Sequence, residues 1–365
     1  MPSRWPAEWE PQQMAFLGFP SRGDWYRDGG EYAQREICEV ARILSQYQAV
    51  TICTNPDQVA KARSMVSGKV QVLEVPYETP YIRDTSPLFV IKDGRLTAVD
   101  WCFNVYGGTQ KEDGSWVSKW GSLYATDLKD ARVAQVLADH MKVPVVRSDM
   151  ILEGGSVHTD GEGTLVTTAE CLLNKNRNPS MSKKEIEAEL DRQLGIKKVL
   201  WLPKGVHEDW ATNHHVDNFC CFVRPGAVLL AWTDDRSDPQ YEACQQALEL
   251  LQSTPDAQGR KLQVHKVYLP PNLFLSEAEA AAMVGEKLKR KAGDRLPASY
   301  INFYRGNGCA VIPAFGQPTD EPARKAIQAA FGESVKVYST PAREILCGGG
   351  NIHCMSMQMA QAVEE

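Results

Sequence analysis

Residues 86–101 read SPLFVIKDGRLTAVDW, two apolar runs joined by Asp93-Gly94. An Asp-Gly pair accepts the left-handed backbone of a tight two-residue turn, so the stretch predicts a β-hairpin. Behind it come the helical stretch DARVAQVLADHM (130–141) and the apolar strand VPVVR (143–147). The same order then returns three times. GSVHTDGEGTLVTT (155–168) leads to SKKEIEAELDRQLG (182–195), where Ser182 and Glu185 predict a capping box, and on to KKVLWLP (197–203). DNFCCFVRPGAVLLAW (217–232) leads to DPQYEACQQALELLQS (238–253) and LQVHKVYLP (262–270). YINFYRGNGCAVIPAF (300–315) leads to EPARKAIQAAFG (321–332) and VKVYS (335–339).

The two ends of the chain supply a fifth copy. MAFLGFP (14–20), the helical YAQREICEVARILSQY (32–47) and AVTIC (49–53) lie at the N-terminus, and NIHCMSM (351–357) at the C-terminus. Five repeated units in one chain predict an α/β ring of pseudo-fivefold ββαβ blades, closed by the N- and C-terminal strands, with residues 1–365 as one domain. SEAEAAAMVGEKLKRKAGD (276–294) fits no unit and reads as a helical excursion.

Composition narrows the partners. A chain of 365 residues with 43% apolar and 24% charged content is globular in character. The net charge of −6 argues against nucleic acid and anionic membranes. No apolar run approaches the roughly 20 residues that span a bilayer. The opening MPSRWPAEWEPQQ lacks the basic start and apolar core of a secretory leader. The ten cysteines form no CxxC pair, which predicts reduced thiols and a cytoplasmic location.

A ring would bring together the segments that lead into each unit's first strand: Arg83-Asp84, Glu153-Gly154-Gly155, His214 to Asn218, and Gly350 to Cys354. Cys354 is the candidate nucleophile, and it needs a base or a field that lowers its pKa from about 8.5. His215 and His353 are both available. His353 precedes Cys354 directly and would face the other way on a strand, which favours His215. Asp84, Glu153 and Asp217 enter the same pocket. Three anions repel a thiolate, an arrangement suited to a substrate that brings positive charge. A guanidinium, whose N–H groups form a fixed fork, fits carboxylates well, and cysteine attack on its carbon would displace ammonia. The run Gly348-Gly349-Gly350 reads as a backbone requirement beside the thiol, with Gly350 and Asn351 positioning Cys354. Arg83 reads as a structural ion pair behind the pocket, and Trp101 and Asn104 as core lining.

Two other readings compete. His214, His215, Asp217, Cys220, Cys221, His353 and Cys354 offer zinc ligands, but without CxxC or HExxH spacing, and a strand would send alternate residues to opposite faces. A non-catalytic protein could use the same carboxylates to hold a cation. CGGGN lacks the Gly-Lys-Ser/Thr of a phosphate loop.

Taken in order, RDT, LEGG, HVDN and GGGNIHC resemble the agmatine deiminases of the guanidine-modifying pentein superfamily, whose fold is a five-bladed β/α propeller. PAEWEPQQMAFLGFP, DWCFNVYGG and ECLLNKNRNP extend the resemblance over essentially the whole chain. It implies Cys354 as nucleophile through an amidino-thioether, His215 as general acid and base, Asp84 and Asp217 gripping the guanidinium, and Glu153 orienting His215. It also implies no cofactor or metal, a homo-oligomer (dimer or tetramer), and conversion of agmatine and water to N-carbamoylputrescine and ammonia. Three positions depart from the family pattern: Ala211 where an acid is usual, His214 where glycine is usual, and Tyr81 where tryptophan is usual. These three lie on loops expected to meet the substrate's far end, which raises the alternative of a different small guanidine as substrate; with Asp84, Asp217 and Asn351 they are the candidate substrate-binding residues.

Overall fold

The computed structural model describes residues 3–110, 116–117, 129–284 and 290–361. In chain order it begins with β1 (Gln12–Gly18), α1 (Glu31–Leu44), β2 (Ala49–Thr54), α2 (Val59–Met65) and β3 (Val70–Glu74). The next blade holds β4 (Leu88–Lys92), β5 (Arg95–Cys102), α3 (Val133–Met141) and β6 (Val145–Ile151). The third holds β7 (Val157–Thr159), β8 (Thr164–Thr168), α4 (Lys183–Leu194) and β9 (Lys198–Leu202). The fourth holds β10 (Cys220–Arg224), β11 (Ala227–Trp232), α5 (Gln240–Ser253) and β12 (Gln263–Tyr268). The fifth holds β13 (Tyr304–Gly306), β14 (Cys309–Ala314), α6 (Asp320–Phe331) and β15 (Lys336–Pro341). Last comes β16 (Ser356–Ala360), which pairs antiparallel with β1 and completes the first blade.

In every blade the first strand is antiparallel to the middle one and the third is parallel to it. The parallel pairs are joined through α1, α3, α4, α5 and α6, as a parallel connection requires a crossover. Middle strands are covered on both faces: all six residues of β11 and all five of β8 are buried. That explains why they read as apolar or Thr/Val runs without alternation. The Asp93-Gly94 turn has φ of 51° and 78°, the left-handed pair its sequence predicts. The Ser182–Glu185 capping box is formed at the head of α4.

Two features differ from expectation. The first blade gains a fourth strand, β3, preceded by α2, in a segment the repeat leaves unassigned. VQVLE is an edge strand with only Val70 fully buried, so its pattern carries little apolar signal. The excursion after residue 275 forms a short capped helix, Glu277–Ala281, tied to Arg343 by a 2.7 Å ion pair from Glu279. Its stretch 285–289 lies outside the described residues.

Candidate active site

The segments that lead into the first strands converge. Asp84 lies on a single helical turn, Ile82–Thr85, before β4, and Glu153 lies before β7. Asp217 lies on the turn Val216–Asn218 before β10, with His215 as its preceding residue. Gly155 marks their meeting point. A Cβ there would lie 2.7 Å from His215 Nδ1, 2.9 Å from Asp84 Oδ1 and 3.0 Å from Asp217 Oδ2. Only a residue without a side chain lets three polar groups, one from the lead-in to β4 and two from the lead-in to β10, close on one point.

Cys354 follows the glycine run on a turn, one residue short of β16 by a gap of Met355 alone. Its thiol donates to Asp217 Oδ2 at 3.5 Å and receives Asn302 Nδ2 at 3.1 Å. Asn302 Oδ1 in turn accepts the backbone N–H groups of His353 and Cys354. Asn302 leads into β13, so it is the fifth blade's contribution to the site. The sequence reading passed over it, although the symmetry of the other four lead-ins pointed to that position. Gly350 is required by close approach: a Cβ would sit 2.6 Å from the Tyr81 ring and 3.0 Å from Cys354 Cβ. Tyr81 itself accepts the Gly350 N–H and a hydrogen bond from Tyr26, so it braces the nucleophile's turn. Asn351 is buried, with Oδ1 accepting from Ile352 N and Nδ2 without a partner among the described residues.

The expectation about His353 rests on a strand that is not there. Residues 352–355 form a turn, and His353 is fixed by both ring nitrogens: Nδ1 lies 2.9 Å from Asp217 Oδ2 and Nε2 lies 2.8 Å from Glu8 Oε1. Neither nitrogen is left for the thiol. His215 Nδ1 lies 3.8 Å from Asp84 Oδ1, and its Nε2, 3.9 Å from Glu153, has no hydrogen-bond partner among the described residues.

Electrostatics follow from burial. Asp84 is pushed up to about 6, chiefly by burial and then by the Asp217 and Glu153 charges, against the pull of His215. Its oxygens accept from Gly155 N at 2.9 Å and Tyr106 OH at 2.8 Å. Burial also pushes Asp217 up, but the His353 hydrogen bond and charge outweigh it and hold the carboxyl below the usual range. Glu153 is fully buried; the Arg177 guanidinium at 2.7 Å overcomes that burial and brings the carboxyl down to about 2. Burial works against a charged His215, yet Asp84, Cys171 and Glu153 raise it well above the ordinary histidine value. The Cys354 thiol is raised well above its ordinary value by burial and by the Asp217 and Asp84 charges. One oxygen, Asp217 Oδ1, is buried with no hydrogen-bond partner among the described residues. A buried carboxylate oxygen without a partner is costly, so the pocket is suited to a donor there.

Arg177, from NKNRNP, was also missed. It ties Glu153 to the loop that carries His215, donating to Asn213 Oδ1 and Thr212 O. Asp209, a further buried carboxyl on that loop, accepts from Asn218 Nδ2 at 2.9 Å.

His214 turns away from the site, contrary to expectation. Its Nδ1 lies 2.7 Å from Val206 O, and the ring lines a separate cavity of about 440 Å³ with Glu170, Glu208 and Trp210. Its φ of 67° is left-handed, which accounts for the usual glycine there. Ala211 is buried in the turn Trp210–Thr212. Cys220 and Cys221 lie buried in β10, and Arg83 pairs with Glu8 at 3.4 Å behind the pocket, both as expected. Among the described residues, the ligands named in the zinc reading do not come together as one group. The groups that meet are Glu8, His158 and His353, and Glu153, Cys171 and His215. Each already holds an arginine against its carboxylate, Arg83 and Arg177.

Five β/α blades, with a thiol, an imidazole and several carboxylates gathered where the first strands begin, define a pentein. A family model described as Porphyromonas-type peptidyl-arginine deiminase matches residues 4–360, and the chain belongs to that family. The agmatine deiminase of Medicago truncatula is 43% identical over 97% of this chain and 95% of its own length. That of Stutzerimonas stutzeri is 45% identical, over 97% and 94%. A solved agmatine deiminase of Enterococcus faecalis superposes with a TM-score of 0.90 at 34% identity, covering 99% of this chain and 96% of that one.

Proposed function

We propose that this chain is a cysteine hydrolase that converts agmatine and water to N-carbamoylputrescine and ammonia. The observation that carries the reading is the convergence of Asp84, Asp217 and His215 on Gly155, with the Cys354 thiol 3.5 Å from the same Asp217 oxygen. A guanidinium held by Asp84 and Asp217 would supply the donor that Asp217 Oδ1 lacks. Its charge would offset the two carboxylates that keep the thiol protonated, so binding itself promotes thiolate formation. As the guanidinium binds, the thiol gives up its proton to solvent, and the thiolate attacks the guanidinium carbon. His215, charged in the resting site, gives its proton to the departing nitrogen, and ammonia leaves an amidino-thioether. Neutral His215 then takes a proton from water, which attacks the same carbon and expels the thiolate. Glu153, braced by Arg177, favours the charged imidazole. The chemistry is complete with the side chains named and calls for no metal or cofactor.

Relatives that share more than two-fifths of their residues with this chain are named agmatine deiminase, which favours agmatine over another small guanidine. The orientation of His214 away from the carboxylates removes one argument for that alternative. We read residues 1–365 as one catalytic unit acting as a homo-oligomer, a dimer or tetramer, in the cytoplasm. All ten cysteines are free, in keeping with a reducing compartment. Among the described residues no helix is long and apolar enough to cross a membrane. Acid-quenching the protein during turnover of agmatine tests the mechanism. Intact-mass spectrometry should show an adduct of agmatine less ammonia, mapped to Cys354 and absent from Cys354→Ser. An adduct elsewhere, or turnover surviving in the variant, would refute it.

A further inference from the structure

The N-terminal segment reaches into the site. Arg4 N and O pair with Ile91 O and N, Trp5 N donates to Leu194 O, and Gln12 Nε2 donates to Glu8 O, so two blades and β1 hold the segment down. Pinned in this way, Glu8 is buried and places Oε1 2.8 Å from His353 Nε2, while His353 Nδ1 meets Asp217 Oδ2 at 2.9 Å. The chain Glu8–His353–Asp217 therefore ends on the oxygen that the Cys354 thiol also touches. Arg83 completes the frame: it pairs with Glu8 at 3.4 Å and donates from Nε to His353 O and from its backbone N to Cys354 O.

We propose that Glu8 is a positioning residue for the reaction, acting through His353 to keep Asp217 oriented and ionised for the guanidinium. The inference rests on the deiminase reading given above. An imidazole between two carboxylates favours its charged form, and a charged donor favours an ionised Asp217. The other groups facing His353 are Arg83, from the turn before β4, and His158, from β7. Cys221 of β10 lies close to both Glu8 and Asp217 as a neutral thiol, its pKa pushed up by burial. Burial opposes charge on His353, as does Arg83, yet the two carboxylates prevail and raise its pKa. Without the Glu8 charge the imidazole loses one of its two anions. Asp217 then follows Asp84 upward, and the carboxyl retains a proton that the substrate has to displace.

The test uses the full chain with Glu8→Gln, which keeps the shape and removes the charge. In His-labelled protein, NMR of the His353 ring should show its midpoint at least about one pH unit lower in Glu8→Gln than in wild type. With agmatine, KM at pH 5 should rise about tenfold, kcat should change less than about threefold, and the acid limb of kcat/KM should move up by about one unit. Glu8→Asp should restore the limb in part. An unmoved His353 midpoint, or a loss confined to kcat with the limb in place, would overturn the proposal. If Glu8→Gln does not fold, His353→Asn carries the same kinetic expectation. Wild-type protein that releases no ammonia from agmatine would sink the deiminase reading, while the NMR midpoint still decides the coupling.

Discussion

Asp217 serves two neighbours through one oxygen, His353 at 2.9 Å and the Cys354 thiol at 3.5 Å, while its other oxygen has no hydrogen-bond partner among the described residues. Asp84, facing the same point, is the weaker acid because burial is only partly offset by His215. The difference sets a pH dependence. Asp84 has to be ionised to hold a guanidinium, so kcat/KM should fall below about pH 6, tenfold for each further unit, as the carboxyl gains a proton. The sign follows from a raised acid: its charged form is lost on acidification earlier than an ordinary aspartate's. A profile for agmatine turnover that stays level down to pH 4.5 would show that this charge is not needed. At this scale the sequence was informative where residues came in clusters. HVDN, LEGG and GGGNIHC each put several polar or glycine residues together in an otherwise apolar context. Asn302 stands alone among apolar and aromatic neighbours, whereas Arg177 and Glu8 each sit among other polar residues that do not single them out, and their partners lie 52, 24 and 345 positions away. Nothing local marks such pairs.

At the level of elements, the site depends on backbone that no side chain obstructs. Gly155→Ala places a methyl group at 2.7–3.0 Å from three polar side chains, closer than any contact they can accept. It should cost at least about a hundredfold in kcat/KM and lower the melting temperature by several degrees. Ser182→Ala removes the cap of α4 and should cost about 1 kcal/mol of stability with activity unchanged. Running both variants side by side, by melting and by ammonia release, separates damage to the site from damage to a blade. Equal activity losses in the two would contradict this assignment of roles. Elements were legible wherever a hairpin turn met an amphipathic helix, as at Asp93-Gly94 and Ser182. β3 was not, because an edge strand half open to water needs few apolar residues. The turn at 352–355 was mistaken for strand because IHCMSM (352–357) carries no Gly, Pro, Asn or Asp to mark where the turn ends and the strand begins.

At the scale of the molecule, the first blade is assembled from both ends of the chain. β16 lies along β1 from the Gln12–Ala360 pair to the Leu17–Ser356 pair, and β1 also pairs with β2. Without β16, the edge of β1 is exposed, Met357 and Met359 leave the core, and Cys354 loses the strand that follows it. A chain ending at Met355 should therefore show no cooperative thermal transition, in contrast to full-length protein. A sharp transition near that of the full chain would mean that the ring does not depend on its closure. The fivefold order explains why distant motifs form one site. Each blade starts in the same place, so Asp84, Glu153, Asp217, Asn302 and Cys354 meet although they span most of the sequence.

The central claim is that this pocket hydrolyses a guanidinium through Cys354, with agmatine as the substrate. Ammonia release from agmatine, arginine, 4-guanidinobutyrate, methylguanidine and guanidinoacetate, with wild type beside Cys354→Ala, tests it most directly. The account predicts release from agmatine far above the other four and none from the variant. Release confined to a different guanidine, or undiminished release by Cys354→Ala, would contradict it.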